Sequence, residues 1–177
     1  GIDVQADGFF KNQGTIHIGA PDGIDGDGIS NEGGFLNESG AIYLDGIGTA
    51  GVANLFGTFE NKALIDIGDT LGILEEGIYN DARFLNFANG TIRVDSTDFD
   101  GIYNCSCSGL ASFDNQGTIR IGETSVIGED GIANESYFRN HGSGLINIDR
   151  ATFDGVYGLD SIFINDARLN IGSAIGV

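Results

Sequence analysis

Gly28-Ile29-Ser30-Asn31, then Phe35-Leu36-Asn37, then Ile42-Tyr43-Leu44: these three short alternating runs decide how the chain folds, because all three recur along it. The middle run, Phe-x-Asn, occurs seven times, beginning at Phe10, Phe35, Phe59, Phe84, Phe113, Phe138 and Phe163, at steps of 25, 24, 25, 29, 25 and 25 residues. Four to six residues after each Asn comes an aliphatic pair at i and i+2: Ile16/Ile18, Ile42/Leu44, Ile65/Ile67, Ile92/Val94, Ile119/Ile121, Ile146/Ile148 and Leu169/Ile171. That spacing is the period of a strand, in which alternate side chains share a face. The third run, Gly-[Ile/Val]-x-Asn, starts at Gly28, Gly51, Gly77, Gly101 and Gly131. Gly155-Val156-Tyr157-Gly158 keeps it without the Asn, and Gly1-Ile2-Asp3-Val4 is a worn copy.

A second period lies inside the first. From the end of each aliphatic pair to the following Gly the distances are 10, 7, 10, 7, 10 and 7 residues, and the residue after the pair alternates Gly19, Asp45, Gly68, Asp95, Gly122, Asp149, Gly172. The duplicated unit is therefore about 50 residues long and contains two unlike turns of about 25.

Three short strands per 25-odd residues, separated by Gly, Asn and Asp, fit one coil of a parallel β-helix. A propeller blade needs a longer unit of four strands, and a leucine-rich repeat needs a different Leu and Asn spacing. The expected architecture is all-β: a right-handed parallel β-helix of about seven coils with three strands each, forming a single solenoid domain over residues 1–177. At about 4.8 Å per coil, seven coils make a rod of about 34 Å. In register, the seven Phe form one internal stack and the aliphatic pairs form two internal columns. Asn12, Asn37, Asn61, Asn86, Asn115, Asn140 and Asn165 form a ladder at a turn, each amide able to donate to one neighbour and accept from another.

Composition agrees. The 177 residues include 30 Gly and a single Pro, too much glycine for long helices and without the triplet period of collagen. A net charge of −18 repels phosphate backbones and anionic lipid, so neither nucleic acid nor a membrane surface is an expected partner. The longest uncharged stretch, Gly46 to Phe59, is too short to span a bilayer, so no membrane insertion is expected. The chain opens on Gly1 without a leader pattern and reads as a processed chain or a piece of a longer one.

On Phe-x-Asn, on Gly-Thr-Ile-x-[Ile/Val] (Gly14 to Ile18, Gly90 to Val94, Gly117 to Ile121) and on [Asp/Glu]-Gly-Ile-x-Asn (Asp27 to Asn31, Glu76 to Asn80, Asp130 to Asn134), residues 9–172 resemble the Asn- and Phe-laddered β-helix repeats of bacterial secreted and surface proteins, in the broad pectin-lyase-like group. The resemblance implies a non-enzymatic structural segment of an extracellular stalk, adhesin or filament. Its partners would be flanking repeats or copies of itself stacked end to end, and surface glycans. The alternative it implies is a polysaccharide-binding or polysaccharide-cleaving module.

Few residues carry the pattern of a chemical site. Gly46-x-Gly48-x-x-Gly51 matches a dinucleotide fingerprint, but a repeat strand follows where that fingerprint needs a helix. No Ser/His/Asp or Cys/His arrangement is readable, and no catalytic residue is assigned. The residue before the third-run glycine is acidic in five of six coils: Asp27, Glu76, Asp100, Asp130 and Asp154, with Ala50 the exception. Stacked carboxylates repel unless solvated or sharing a cation, so this column reads either as a solvated acidic edge or as a Ca2+ site. Asn54 to Phe59 and Gly158 to Phe163 span five positions, whereas Asn104 to Phe113 spans nine. That four-residue insertion carries Cys105 and Cys107, candidates for a local disulfide or a cross-link to another chain.

Overall fold

A computed structural model describes residues 1–19, 23–109 and 111–172. Among them are 21 strands and no helix, so none is long and apolar enough to cross a membrane. The Gly-[Ile/Val]-x-Asn runs form β1 (Ile2–Val4), β4 (Ile29–Asn31), β7 (Val52–Asn54), β10 (Ile78–Asn80), β13 (Ile102–Asn104), β16 (Ile132–Asn134) and β19 (Val156–Gly158), paired in that order as one parallel sheet. The Phe-x-Asn runs form a second: β2 (Phe9–Asn12), β5 (Gly34–Asn37), β8 (Thr58–Asn61), β11 (Arg83–Asn86), β14 (Ser112–Asn115), β17 (Tyr137–Asn140) and β20 (Ile162–Asn165). The aliphatic pairs lie on the third: β3 (Thr15–Ile18), β6 (Ala41–Leu44), β9 (Leu64–Ile67), β12 (Thr91–Val94), β15 (Thr118–Ile121), β18 (Leu145–Ile148) and β21 (Arg168–Ile171). Successive triplets of strands are coils 1 to 7 of a β-solenoid, as the repeat predicts.

Register is strict. Phe84 lies opposite Phe59 and Phe113, and Asn86 opposite Asn61 and Asn115. A slip of one residue would turn every Phe and aliphatic pair to solvent, so burial enforces the alignment. The seven Phe rings form one stack with centroids 4.5 to 5.1 Å apart. The inner four pairs lie within 7° of parallel. Isolated aromatic pairs favour offset or edge-on packing. Here the coil rise of about 4.8 Å sets a centroid spacing within the range of offset-stacked rings, and complete burial of Phe59, Phe84, Phe113 and Phe138 makes the stack favourable.

A fourth interior column escapes the three-run description. Ile24, Ile47, Ile73, Thr97, Ile127 and Ala151 each stand four residues before a third-run glycine and point inward from the arm that closes each coil. Most adjacent members are joined by isolated parallel bridges. This column explains the alternation of 10 and 7. From the aliphatic pair to the arm residue the count is six in coils 1, 3 and 5 (Ile18 to Ile24) and three in coils 2, 4 and 6 (Leu44 to Ile47), and in coils 3 and 5 the extra residues form a loop. Gly68 and Gly122 start those loops, and they share with the equivalent Gly19 and Gly172 a φ between 69° and 101°, in the left-handed region that glycine adopts freely. A Cβ on Gly68 would also stand 2.6 Å from the Ser96 carbonyl oxygen of the next coil. The alternating Asp secures the loop: Asp45 Oδ1 accepts the N–H groups of Thr70 (3.0 Å) and Leu71 (3.3 Å), and Asp95 Oδ1 accepts that of Thr124 (2.7 Å).

Candidate functional site

The turn after each Phe-x-Asn strand places the seven expected Asn in one hydrogen-bonded line. Asn12 Nδ2 donates to Asn37 Oδ1, and the chain continues through Asn61, Asn86, Asn115 and Asn140 to Asn165 at 2.7 to 2.9 Å per step. A parallel ladder, not foreseen as such although its Asn closes the third run, joins Asn31, Asn54, Asn80, Asn104 and Asn134 at 2.7 to 2.8 Å. All five of its members are fully buried. In both ladders every Asn-to-Asn bond runs from Nδ2 to the coil that follows in the chain, so the solenoid has a fixed polarity. The worn repeats terminate the second ladder. Val4 lies opposite Asn31, whose buried Oδ1 has no hydrogen-bond partner. Gly158 lies opposite Asn134, whose Nδ2 turns to the carbonyls of Ser136 and Ile162.

The acidic column lies along the edge where the arm enters the first sheet. Three of its five carboxylates bind protein groups of the next coil: Asp27 Oδ1 accepts from the Thr49 hydroxyl and the Ala50 N–H, Asp100 Oδ1 from the Asp130 N–H (3.0 Å), and Asp130 Oδ1 from the Asp154 N–H (2.8 Å). Asp100 is buried and Asp154 exposed. Burial pushes the Asp100 carboxyl up to about 7, against the Asp130 N–H bond and with the charges of Asp130, Glu129 and Glu76 adding to it. Burial likewise raises Glu76, with Glu75, Glu129 and Asp27 acting in the same direction. Among the described residues, no three carboxylates of this column bring oxygens within 4.8 Å of one another.

The other grouped charges sit on the outer face of the third sheet. Arg93 reaches Asp66 (3.0 Å), Glu123 (3.4 Å) and Asp95 (3.8 Å), and Arg120 reaches Glu123 (2.9 Å). Asp66 Oδ1 and Asp95 Oδ2 are buried without a hydrogen bond, and burial raises Asp66 more than Arg93 lowers it. Gly46 and Gly48 line an open cleft of about 270 Å3 beside Leu71 and Leu74, and strand β7 follows them, as the repeat requires. His17 stacks on Tyr43 at 4.6 Å, and His141 lies 3.2 Å from Asp114.

Cys105 and Cys107 are joined in a disulfide with Cα atoms 5.4 Å apart. Cys105 is fully buried and Cys107 exposed. The insertion is held to the preceding coil through Asp81: the Ser108 N–H donates to Asp81 Oδ1, and the Ser108 hydroxyl donates to the Asp81 carbonyl, both at 2.6 Å. The chain matches no family model, no curated protein and no solved structure.

Proposed function

We propose that this chain is a non-enzymatic structural segment of an extracellular bacterial stalk, adhesin or filament of the pectin-lyase-like kind, built to be continued by further coils of the same register. The observation that carries this reading is the Phe-x-Asn ladder, whose end members Asn12 and Asn165 lie in the first and last coils. The Phe-x-Asn ladder runs through all seven coils, and both ladders orient every donor the same way. A coil added beyond β20 with an Asn in register accepts from Asn165, and one preceding β2 donates to Asn12. Only head-to-tail addition satisfies both, which is the heterologous geometry that propagates. Partly buried Phe10, Ile16 and Ile18 at one end, and Phe163 and Leu169 at the other, gain cover in the same step. The disulfide agrees with an oxidising, extracellular compartment.

Electron microscopy of the isolated chain across a concentration series tests this. Rods that lengthen with concentration are expected. Dispersed rods of unit length at every concentration overturn self-stacking, and reducing-sugar release from a polysaccharide panel overturns the non-enzymatic reading.

A second reading, glycan binding, is favoured by one observation. Phe99 and Phe153 are 44% and 69% exposed, stand on the same edge two coils apart, and flank Glu129 through backbone bonds of 3.2 Å. Flat apolar faces alternating with carboxylates suit a sugar chain. Loss of glycan-array binding in Phe99→Ala and Phe153→Ala supports it, and an array negative for the parent chain retires it.

A further inference from the structure

The four-residue insertion does more than bulge from the solenoid: it brings two sulfurs onto a carboxylate. Cys105 Sγ, Cys107 Sγ and a carboxylate oxygen of Asp81 lie within 4.8 Å of one another, the only such trio of metal-ligating side chains among the described residues. Asp81 follows β10, one coil away from the cysteines, so the trio exists only in the folded chain. Each sulfur also receives a hydrogen bond. The Cys107 N–H donates to Cys105 Sγ (3.1 Å), and the Tyr79 hydroxyl donates to Cys107 Sγ (3.3 Å). Such donors orient thiolates and stabilise their charge in metal sites.

We propose that, once reduced, Cys105, Cys107 and Asp81 form a redox-gated site for a thiophilic divalent cation of the zinc class. In the oxidised chain the sulfurs are bonded to each other and offer no thiolate. Two molecules of a thiol reductant open the site: the Sγ–Sγ bond breaks, each cysteine sulfur gains one electron and one proton, and the two reductant sulfurs join as a disulfide. Exposed Cys107 is the sulfur the first reductant thiol reaches. Metal binding then releases both S–H protons. Losing both protons with no cation present would crowd two thiolates against the Asp81 carboxylate, so the protons leave only as the cation takes their place. Two sulfurs and one oxygen leave a position for solvent on the exposed Cys107 side, the open arrangement of a three-ligand zinc site. Soft sulfur ligands select against calcium and magnesium.

The test uses the full chain reduced with a trialkylphosphine, which takes oxygen from water as the sulfurs take the hydrogens, followed by removal of excess phosphine without air. Titration with Co2+ is expected to give thiolate-to-cobalt charge-transfer absorption that saturates stoichiometrically, vanishes on adding Zn2+ and survives excess Ca2+. The oxidised chain should give none. Asp81→Asn keeps an oxygen for the Ser108 N–H, and should weaken cobalt binding about tenfold or more. Zinc should raise the melting temperature of the reduced parent and not that of reduced Cys105→Ser/Cys107→Ser. No charge-transfer band in the reduced chain, or equal affinity in Asp81→Asn, overturns the proposal. The thermal shift decides the matter should a variant fold poorly in the absence of metal.

Discussion

Replacing Asn80, at the centre of the buried ladder, separates hydrogen-bond direction from packing. Asn80 Oδ1 accepts from Asn54 Nδ2 (2.8 Å), while its Nδ2 donates to Asn104 Oδ1 (2.7 Å) and to the carbonyls of Ala82 (3.0 Å) and Ser112 (3.2 Å). In Asn80→Ala, Asn104 Oδ1 loses this donor inside the core, whereas Asn54 Nδ2 retains the Arg83 carbonyl at 3.1 Å. A stranded buried acceptor costs about 1–3 kcal/mol and each of the two lost ladder bonds about 1 more, so Asn80→Ala should destabilise by about 3–5 kcal/mol. At 2–4 °C per kcal/mol in a chain of this size, the melting temperature should fall by roughly 6–20 °C. Asn80→Asp preserves shape but turns the donor into an acceptor facing three oxygens. Only its protonated form can donate upward, so its folded pKa is raised above the unfolded value. The sign follows: the penalty is largest at neutral pH and is relieved as pH falls through the folded pKa. Guanidinium unfolding at pH 7 and pH 4, with hydrogen exchange over β10 and β13, reads both effects, the latter because solenoids can open coil by coil. A change under about 0.5 kcal/mol for Asn80→Ala, or an equal penalty at both pH values for Asn80→Asp, refutes the ladder argument.

Asp100, held near 7 by burial, binds a proton more readily folded than unfolded, so its contribution to stability declines as pH rises from about 4 to 7. Asn at this position can still accept the Asp130 N–H, so Asp100→Asn should raise the melting temperature at pH 8, leave it nearly unchanged at pH 4 and flatten the profile between. Asp45→Ala should cost only about 1 kcal/mol, because the bonds it removes are exposed, yet it should speed hydrogen exchange at Thr70 and Leu71 selectively. Phe84→Ala, in the middle of the ring stack, should cost about 3–5 kcal/mol by chemical denaturation.

The recurrence of Phe-x-Asn, the aliphatic pair and Gly-[Ile/Val]-x-Asn was enough to place all 21 strands, their register and the Phe stack. Each signal is local and periodic, and stacking leaves equivalent residues little choice but to meet. The alternation after the aliphatic pair was equally legible as a pattern, but its cause was not. That Gly68 turns left-handed and Asp45 captures the Thr70 and Leu71 amides is settled between coils about 25 residues apart. The second Asn ladder and the inward arm column were present as a fixed Asn and a residue four before glycine, but only burial distinguishes them from turn residues. The acidic column shows the limit most clearly. Sequence supplied five carboxylates in line, and tertiary structure decided that Asp27, Asp100 and Asp130 accept hydrogen bonds from the next coil rather than gathering in threes. The approach of Asp81 to Cys105 and Cys107 lay further still beyond sequence, because it depends on which surface of the preceding coil the inserted loop folds against. Repetition alone determined the scaffold, since identical units packed in register have one way to bury their apolar faces. What departs from the repeat has no equivalent to stack on, and only the folded chain decides what it touches.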